Sequence, residues 1–226
     1  MKGGYRICER VYAVGGEGIT GSGDCCIYLV DCGDGLLLID SGLGMGVERM
    51  MEVIRSLGFD PPSIRMLILT HSHIDHIGGA KRIKDLTNCE VVAHELDLQV
   101  IEHGGARTGA GLYGVRYDPV KVDRVIEGET ERIELGDLEI DCIHTPGHTP
   151  GSISVLVEVE KQRVLFGQDI HGPFAPEWGS DITIWRESME KLLGLGADIL
   201  CEGHFGVFRG KDEVRRYIEG YLDYYS

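Results

Sequence analysis

The stretch Leu67-Ile-Leu-Thr-His-Ser-His-Ile-Asp-His-Ile-Gly-Gly79 constrains this chain more than any other. Met66 to Leu69 is a short apolar run that reads as a buried strand. Polar residues take over at Thr70, and His71, His73, Asp75 and His76 follow within six positions. Gly78-Gly79 then leads into a helix-like stretch from Lys81 to Leu86. A strand that runs through a tight polar loop into a helix is a common place for a site. His71 and His73 are two residues apart, so an extended segment projects both rings to one side, where they can grip one metal ion. Asp75 and His76 lie where the chain turns and can address a second ion. Imidazole nitrogen and carboxylate oxygen both suit zinc and similar metals.

The remaining pattern is one of short strands, turns and a few helices. Tyr5 to Val14 alternates loosely and breaks at Gly15-Gly16. Residues 17–24 are glycine-rich, but no Gly-Lys-Ser/Thr follows, so they form no phosphate loop. Cys26 to Val30 and Leu36 to Asp40 read as a hairpin. Gly46 to Leu57 has helical spacing, with Gly58 and Pro61-Pro62 to end it. Glu90 to Ala93 is a further strand, and Glu95 to Glu102 one or two helical turns. Residues 103–120 are glycine-rich and carry Tyr113 and Tyr117. So long an aperiodic stretch reads either as a lid over the site or as a plain surface connection.

Downstream, Val122 to Ile126, Glu131 to Leu135, Leu138 to His144, Ile153 to Val159 and Arg163 to Phe166 are predicted strands. Thr145-Pro-Gly-His-Thr-Pro-Gly-Ser152 is a rigid turn that places His148 between two Pro/Gly pairs. Gly167-Gln-Asp-Ile-His171 follows the last of those strands directly. Ile184 to Leu195 is predicted helical, Asp198 to Cys201 a last strand ended by Glu202-Gly-His-Phe205, and Lys211 to Tyr221 a terminal helix. The 226 residues are enough for a sizeable core and fit one domain, 1–226.

Charge narrows the partners. There are 37 acidic and 22 basic residues, a formal charge of −15, which repels phosphate backbones and argues against nucleic acid. No run is apolar or long enough for a signal peptide core or a membrane span. The seven cysteines are scattered, odd in number and free of any Cys-x-x-Cys, which points to buried thiols in a reducing cytoplasm. A small molecule is the expected partner, and a homodimer is compatible with the sequence.

The set His71-x-His73-x-Asp75-His76, Gly147-His148, Asp169 and Gly203-His204 resembles the metallo-β-lactamase superfamily, with Leu36-Leu-Leu-Ile-Asp-Ser-Gly42 as its first motif. The resemblance runs across essentially the whole chain. It implies an α/β (α+β) fold, a four-layer αββα sandwich with the metals at one edge. It implies a first metal on His71, His73 and His148, a second on Asp75, His76 and His204, and Asp169 as the bridge, with Asp75 and Asp169 serving the chemistry. Asp40 would brace the metal loop by hydrogen bonds. Two divalent ions are implied, zinc first and iron or manganese as alternatives. Roughly 3.5 to 4 Å apart, such ions share a water and lower its pKa toward neutrality.

The same resemblance narrows the substrate. β-Lactamases of this fold normally lack a carboxylate at the bridging position, where Asp169 stands. Relatives of the glyoxalase II type carry a long helical C-terminal domain for glutathione, whereas only residues 205–226 follow His204 here. Acyl-homoserine lactonases place a tyrosine three residues after the bridge, where this chain has Gly172. The expected reaction is hydrolysis of an ester, thioester or lactone of a small molecule. The alternative is a sulfur (persulfide) dioxygenase with one iron on the equivalents of His71, His148 and Asp169. His171, two residues after Asp169, and Tyr113 and Tyr117 are candidate substrate contacts. His94 and His144 read as structural, and His103 as solvated.

Overall fold

Alternation along the strands decides the layers. The computed structural model describes residues 2–226. Strands β1 (Tyr5–Cys8), β2 (Val11–Gly15), β3 (Ile27–Asp31), β4 (Leu36–Ile39), β5 (Ile64–Ile68), β6 (Glu90–His94) and β7 (Arg124–Ile126) form one sheet in chain order. It is antiparallel from β1 to β4 and parallel from β4 to β7. The second sheet holds β8 (Thr130–Leu135), β9 (Leu138–His144), β10 (Ile153–Val159), β11 (Gln162–Gln168), β12 (Ile199–Glu202) and β13 (Gly206–Arg209), in the order β13-β12-β11-β10-β9-β8. Only its β11–β12 pair is parallel.

On β10, β11 and β12, residues such as Val155, Val164, Phe166, Ile199 and Cys201 join the core between the sheets. Their neighbours Leu156, Leu165 and Leu200 face the other way, into a second core. That is the period of two at work, and it explains why these strands read as unbroken apolar runs. The second core is completed by Trp185, Met189 and Leu192 of helix α6 (Ile182–Leu195) and by Val214 and Ile218 of α7 (Lys211–Tyr224). On the opposite side, α1 (Val47–Ser56) sets Val47, Met50, Met51 and Ile54 against the first sheet, and α3 (Ala80–Thr87) adds Ala80 and Ile83. Spacings of three and four residues put each set on one helix face. The layers are therefore helix, sheet, sheet, helix, the four-layer sandwich that the motifs imply.

Three local readings need correction. Tyr5 to Val14 is two strands rather than one, because Arg10 takes a left-handed φ of 64° and turns the chain into a hairpin. β13 went unrecognised because Gly206-Val-Phe-Arg209 is short and only half-buried. Residues 103–120 are not structureless: they hold a 3₁₀ turn, Ala106–Thr108, and one helical turn, Ala110–Tyr113. All seven cysteines are free, and five of them are buried, as expected of core thiols.

Candidate metal centre

The polar loops that follow β4, β5, β9, β11 and β12 meet at one end of the sandwich. Beyond β5 the chain is irregular to His73, then makes one helical turn, α2 (Ile74–Ile77). This brings His71 Nε2 to 3.1 Å from His73 Nδ1. The loop after β9 adds His148, whose Nε2 lies 2.9 Å from the same His73 nitrogen and 3.4 Å from Asp169 Oδ2. The α2 turn sends Asp75 and His76 the other way. His76 Nε2 lies 3.3 Å from His204 Nε2 and 3.2 Å from Asp169 Oδ1. His204 Nε2 is 3.2 Å from Asp75 Oδ2 and 3.4 Å from Asp169 Oδ2. His71, His73, His148 and Asp169 thus form one group of converging donor atoms, and Asp75, His76 and His204 another, with Asp169 reaching both.

These groups fit metal ions better than they fit one another. One His73 nitrogen faces two other imidazole nitrogens, and a single N–H cannot serve both. Asp169 Oδ1 is buried with no hydrogen-bond donor. Buried polar atoms are rarely left so, and cations resolve the cluster with nitrogen and oxygen ligands of the right kind.

Electrostatics divides the site. Burial, then the charge of neighbouring imidazoles, pushes His71 well below the usual histidine range and His73 down to about 3. Both are held neutral, the form that binds metal. Burial opposes the charged forms of His76 and His204 as well. Around His76 it is overridden by its neighbours, the Cys25 sulfur and the carboxylates of Asp169, Asp40 and Asp75, which raise it well above the usual range. Asp169 and Asp75 raise His204 to about 10. Reciprocally, and again against burial, His76 and His204 hold Asp75 and Asp169 low.

A second layer of buried groups positions the first. Asp40 takes a left-handed φ of 63° and accepts hydrogen bonds from the Thr70 backbone and hydroxyl, both at 2.8 Å. Its Oδ2 also lies 2.8 Å from His76 Nδ1, so the ring is oriented with Nε2 toward the other donors. These are the hydrogen bonds through which Asp40 would brace the metal loop. Two further carboxylates went unnoticed in the sequence. Asp97, on α4 (Glu95–His103), accepts from Ser72 N at 2.9 Å, Thr149 Oγ1 at 2.7 Å and Gly151 N at 3.0 Å. Glu202 Oε2 accepts from His204 N at 2.7 Å and Phe205 N at 2.8 Å, and Oε1 lies 2.9 Å from His171 Nδ1. A lone acid on a helix carries no signal of such a partner. Glu202 did carry one, as a charged residue ending an otherwise apolar strand. Gly203 beside it is obligatory, since a Cβ there would run into the Asp169 carboxylate.

A cavity of about 360 Å³ opens over the donors. Its floor is His73, Asp75, His148, Asp169 and His204; its walls include His171, Leu112, Tyr113, Pro173 and Trp178. No lysine or arginine lines it. Arg107 instead holds the carbonyl of Trp178, at 3.2 Å from its Nη2, tying the 106–108 turn to the 176–178 turn. Of the expected substrate contacts, His171 and Tyr113 are in the wall. Tyr117 is not: its hydroxyl donates to Ile101 O at 2.8 Å and its ring packs on the main core. The glycines at 104 and 105 turn the chain back so that Tyr117 covers α4 instead. His94 and His144 stack at 3.9 Å away from the cavity, and His103 Nδ1 faces Gln99 O on the surface, in keeping with their expected roles.

Comparison with known proteins gives the same assignment. The family model of the metallo-beta-lactamase superfamily matches residues 20–204. The Bacillus subtilis protein named "Probable metallo-hydrolase YqgX" is 30% identical over 182 residues, 78% of this chain and 83% of that protein. The hydroxyacylglutathione hydrolase GloC of Haemophilus influenzae is 30% identical over 198 residues, 84% of this chain and 89% of that protein. The crystal structure of the metallo-beta-lactamase GOB-18 from Elizabethkingia meningoseptica superposes with a TM-score of 0.83 at 24% identity, over 99% of this chain and 91% of that one, a likeness of fold. With its fold, its His/Asp cluster and its matched residues in agreement, the chain belongs to the metallo-beta-lactamase superfamily.

Proposed function

We propose that the protein hydrolyses thioesters, and with them simple esters and lactones, of small uncharged molecules, using two divalent metal ions. The observation that carries this reading is Asp169. Its Oδ1 lies toward His76 and its Oδ2 toward His148 and His204, so a single carboxylate serves both donor groups. Zinc suits the mixed nitrogen and oxygen donors, with iron or manganese as alternatives. When bound, such ions make water nucleophilic near neutral pH and draw charge from an acyl oxygen.

The chain's own residues supply the rest. Asp40, Asp97 and Glu202 hold the three loops still, which keeps the donors preorganised. Leu112, Pro173 and Trp178 give the acyl group apolar walls and displace water. The lack of lysine or arginine in the wall, and a net charge of −15, disfavour polyanions. The name of the Haemophilus influenzae relative, a hydroxyacylglutathione hydrolase, supports a thioester as the bond cleaved. The second donor group, Asp75, His76 and His204, favours this reading over a one-iron sulfur dioxygenase.

The test is elemental analysis of the purified protein, followed by a panel of neutral thioesters, esters, lactones and a phosphodiester. Two metal equivalents and fastest turnover of acyl-N-acetylcysteamine thioesters are expected. One metal equivalent after supplementation, or a phosphodiester as best substrate, overturns the reading.

A further inference from the structure

Two glycine-rich stretches without a motif, 17–24 and 103–120, meet over the metal centre. The single helical turn Ala110–Tyr113, here α5, lies between Gly109 and Gly114, whose φ values are 69° and 65°. Only glycine takes that conformation without strain, so the turn is bent inward at both ends. Its last residue, Tyr113, is directed down into the cavity. Its ring packs beside Gly23, where an added Cβ would stand at an ordinary contact distance of 3.4 Å from it and would crowd Leu43 Cδ1, at 2.8 Å, instead. The Tyr113 hydroxyl reaches Asp75 Oδ2 and donates to it at 3.2 Å. The same oxygen lies 3.2 Å from His204 Nε2, so the phenol stands beside the place where the reacting bond must sit.

The cavity wall offers few other hydroxyl donors. Thr108 gives its proton to Gly105 O at 2.8 Å. Tyr113 is the one hydroxyl in the wall not committed to the main chain. A neutral donor beside the donor cluster, on a turn hinged by two glycines, can exchange a carboxylate partner for a substrate oxygen without rebuilding the site. The residue is 43% exposed, so the turn is not locked into the core.

We infer that Tyr113 is a catalytic residue: its hydroxyl hydrogen-bonds the acyl oxygen of the bound substrate. The inference rests on the thioesterase reading. It assigns a function to the second glycine-rich stretch and explains why the lid carries an aromatic alcohol at its tip. No proton is transferred; the phenol donates a hydrogen bond that strengthens as charge builds on the oxygen.

The experiment compares the metal-loaded wild type with Tyr113→Phe, each checked by a melting curve. Turnover of propanoyl-N-acetylcysteamine is measured, together with calorimetric binding of its ketone analogue, in which CH₂ replaces sulfur. Metal retention against a chelator is followed in parallel. Expected for Tyr113→Phe is a loss of about 10- to 100-fold in kcat/KM, short of what a fully preorganised oxyanion donor supplies. Ketone binding should weaken as well, with metal retention unchanged. Wild-type turnover with an unchanged Tyr113→Phe overturns this inference and leaves the thioesterase reading standing. So does activity lost only in step with metal, which would make Tyr113 a support for Asp75. A wild type inert toward every thioester overturns the reading beneath it.

Discussion

Asp97 Oδ2 accepts the Ser72 backbone N–H at 2.9 Å, and through Thr149 and Gly151 the same carboxylate also holds the loop that carries His148. One buried acid thus ties two donor loops, from different sheets, to one helix. Asp97→Ala leaves two buried backbone N–H groups without an acceptor, at about 1–3 kcal/mol each. The expected result is a fall in Tm of roughly 5–15 °C and a drop in metal affinity of about 10- to 100-fold. Melting curves and chelator competition check this; an unchanged metal affinity would show that the two loops do not depend on Asp97.

Asp169→Ala removes the one carboxylate that faces both donor groups. Both metal equivalents should weaken, and hydrolysis should fall by orders of magnitude. Elemental analysis and turnover of the same preparation decide the matter. Retention of both metals with full activity is incompatible with the proposed bridge.

Asp40→Asn should be milder. The amide oxygen can still accept from Thr70 N, but the NH2 in place of Oδ2 can accept neither from the Thr70 hydroxyl nor from His76 Nδ1, and the charge 2.8 Å from that ring is lost. A loss of about 10- to 100-fold in metal affinity is expected, with turnover restored by excess metal. Failure of excess metal to restore it would mean that Asp40 acts on the reaction and not on the ligand.

The metal-free protein should be most stable near pH 6.5. His71 and His73 have lowered pKa values, so their contribution is present above the ordinary value of 6.5 and is lost as pH falls toward about 3 for His73. His76 and His204 have raised values, so their contribution is present below 6.5 and is lost as pH rises toward about 10 for His204. Asp75 and Asp169, held low, add to the acid loss below the usual carboxylate range. Tm measured against pH in a chelating buffer tests this. His204→Ala should make the alkaline limb shallower, with His76 still contributing to it, and reduce the loss below the usual carboxylate range that Asp75 and Asp169 cause; a profile flat from pH 5 to 9 in wild type would refute it.

Much of this protein was legible in its sequence because the decisive features are local. A short apolar strand followed by His-x-His-x-Asp-His announces both a buried edge and a set of donors, since spacing within six residues is fixed by backbone geometry. Helix α1 declared itself through its apolar face, and the hairpins through their glycines. What the chain could not show was pairing across long separations. Asp97 and Ser72 are 25 residues apart, Tyr113 and Asp75 38, and His171 and Glu202 31. No local rule distinguishes Tyr113, which enters the cavity, from Tyr117, which turns back onto Ile101. That choice is made by tertiary contacts, the Tyr113 bond to Asp75 and the Tyr117 bond to the Ile101 carbonyl. Local sequence determined which residues carry chemistry; close packing of distant loops decided which of them reach the same few ångströms.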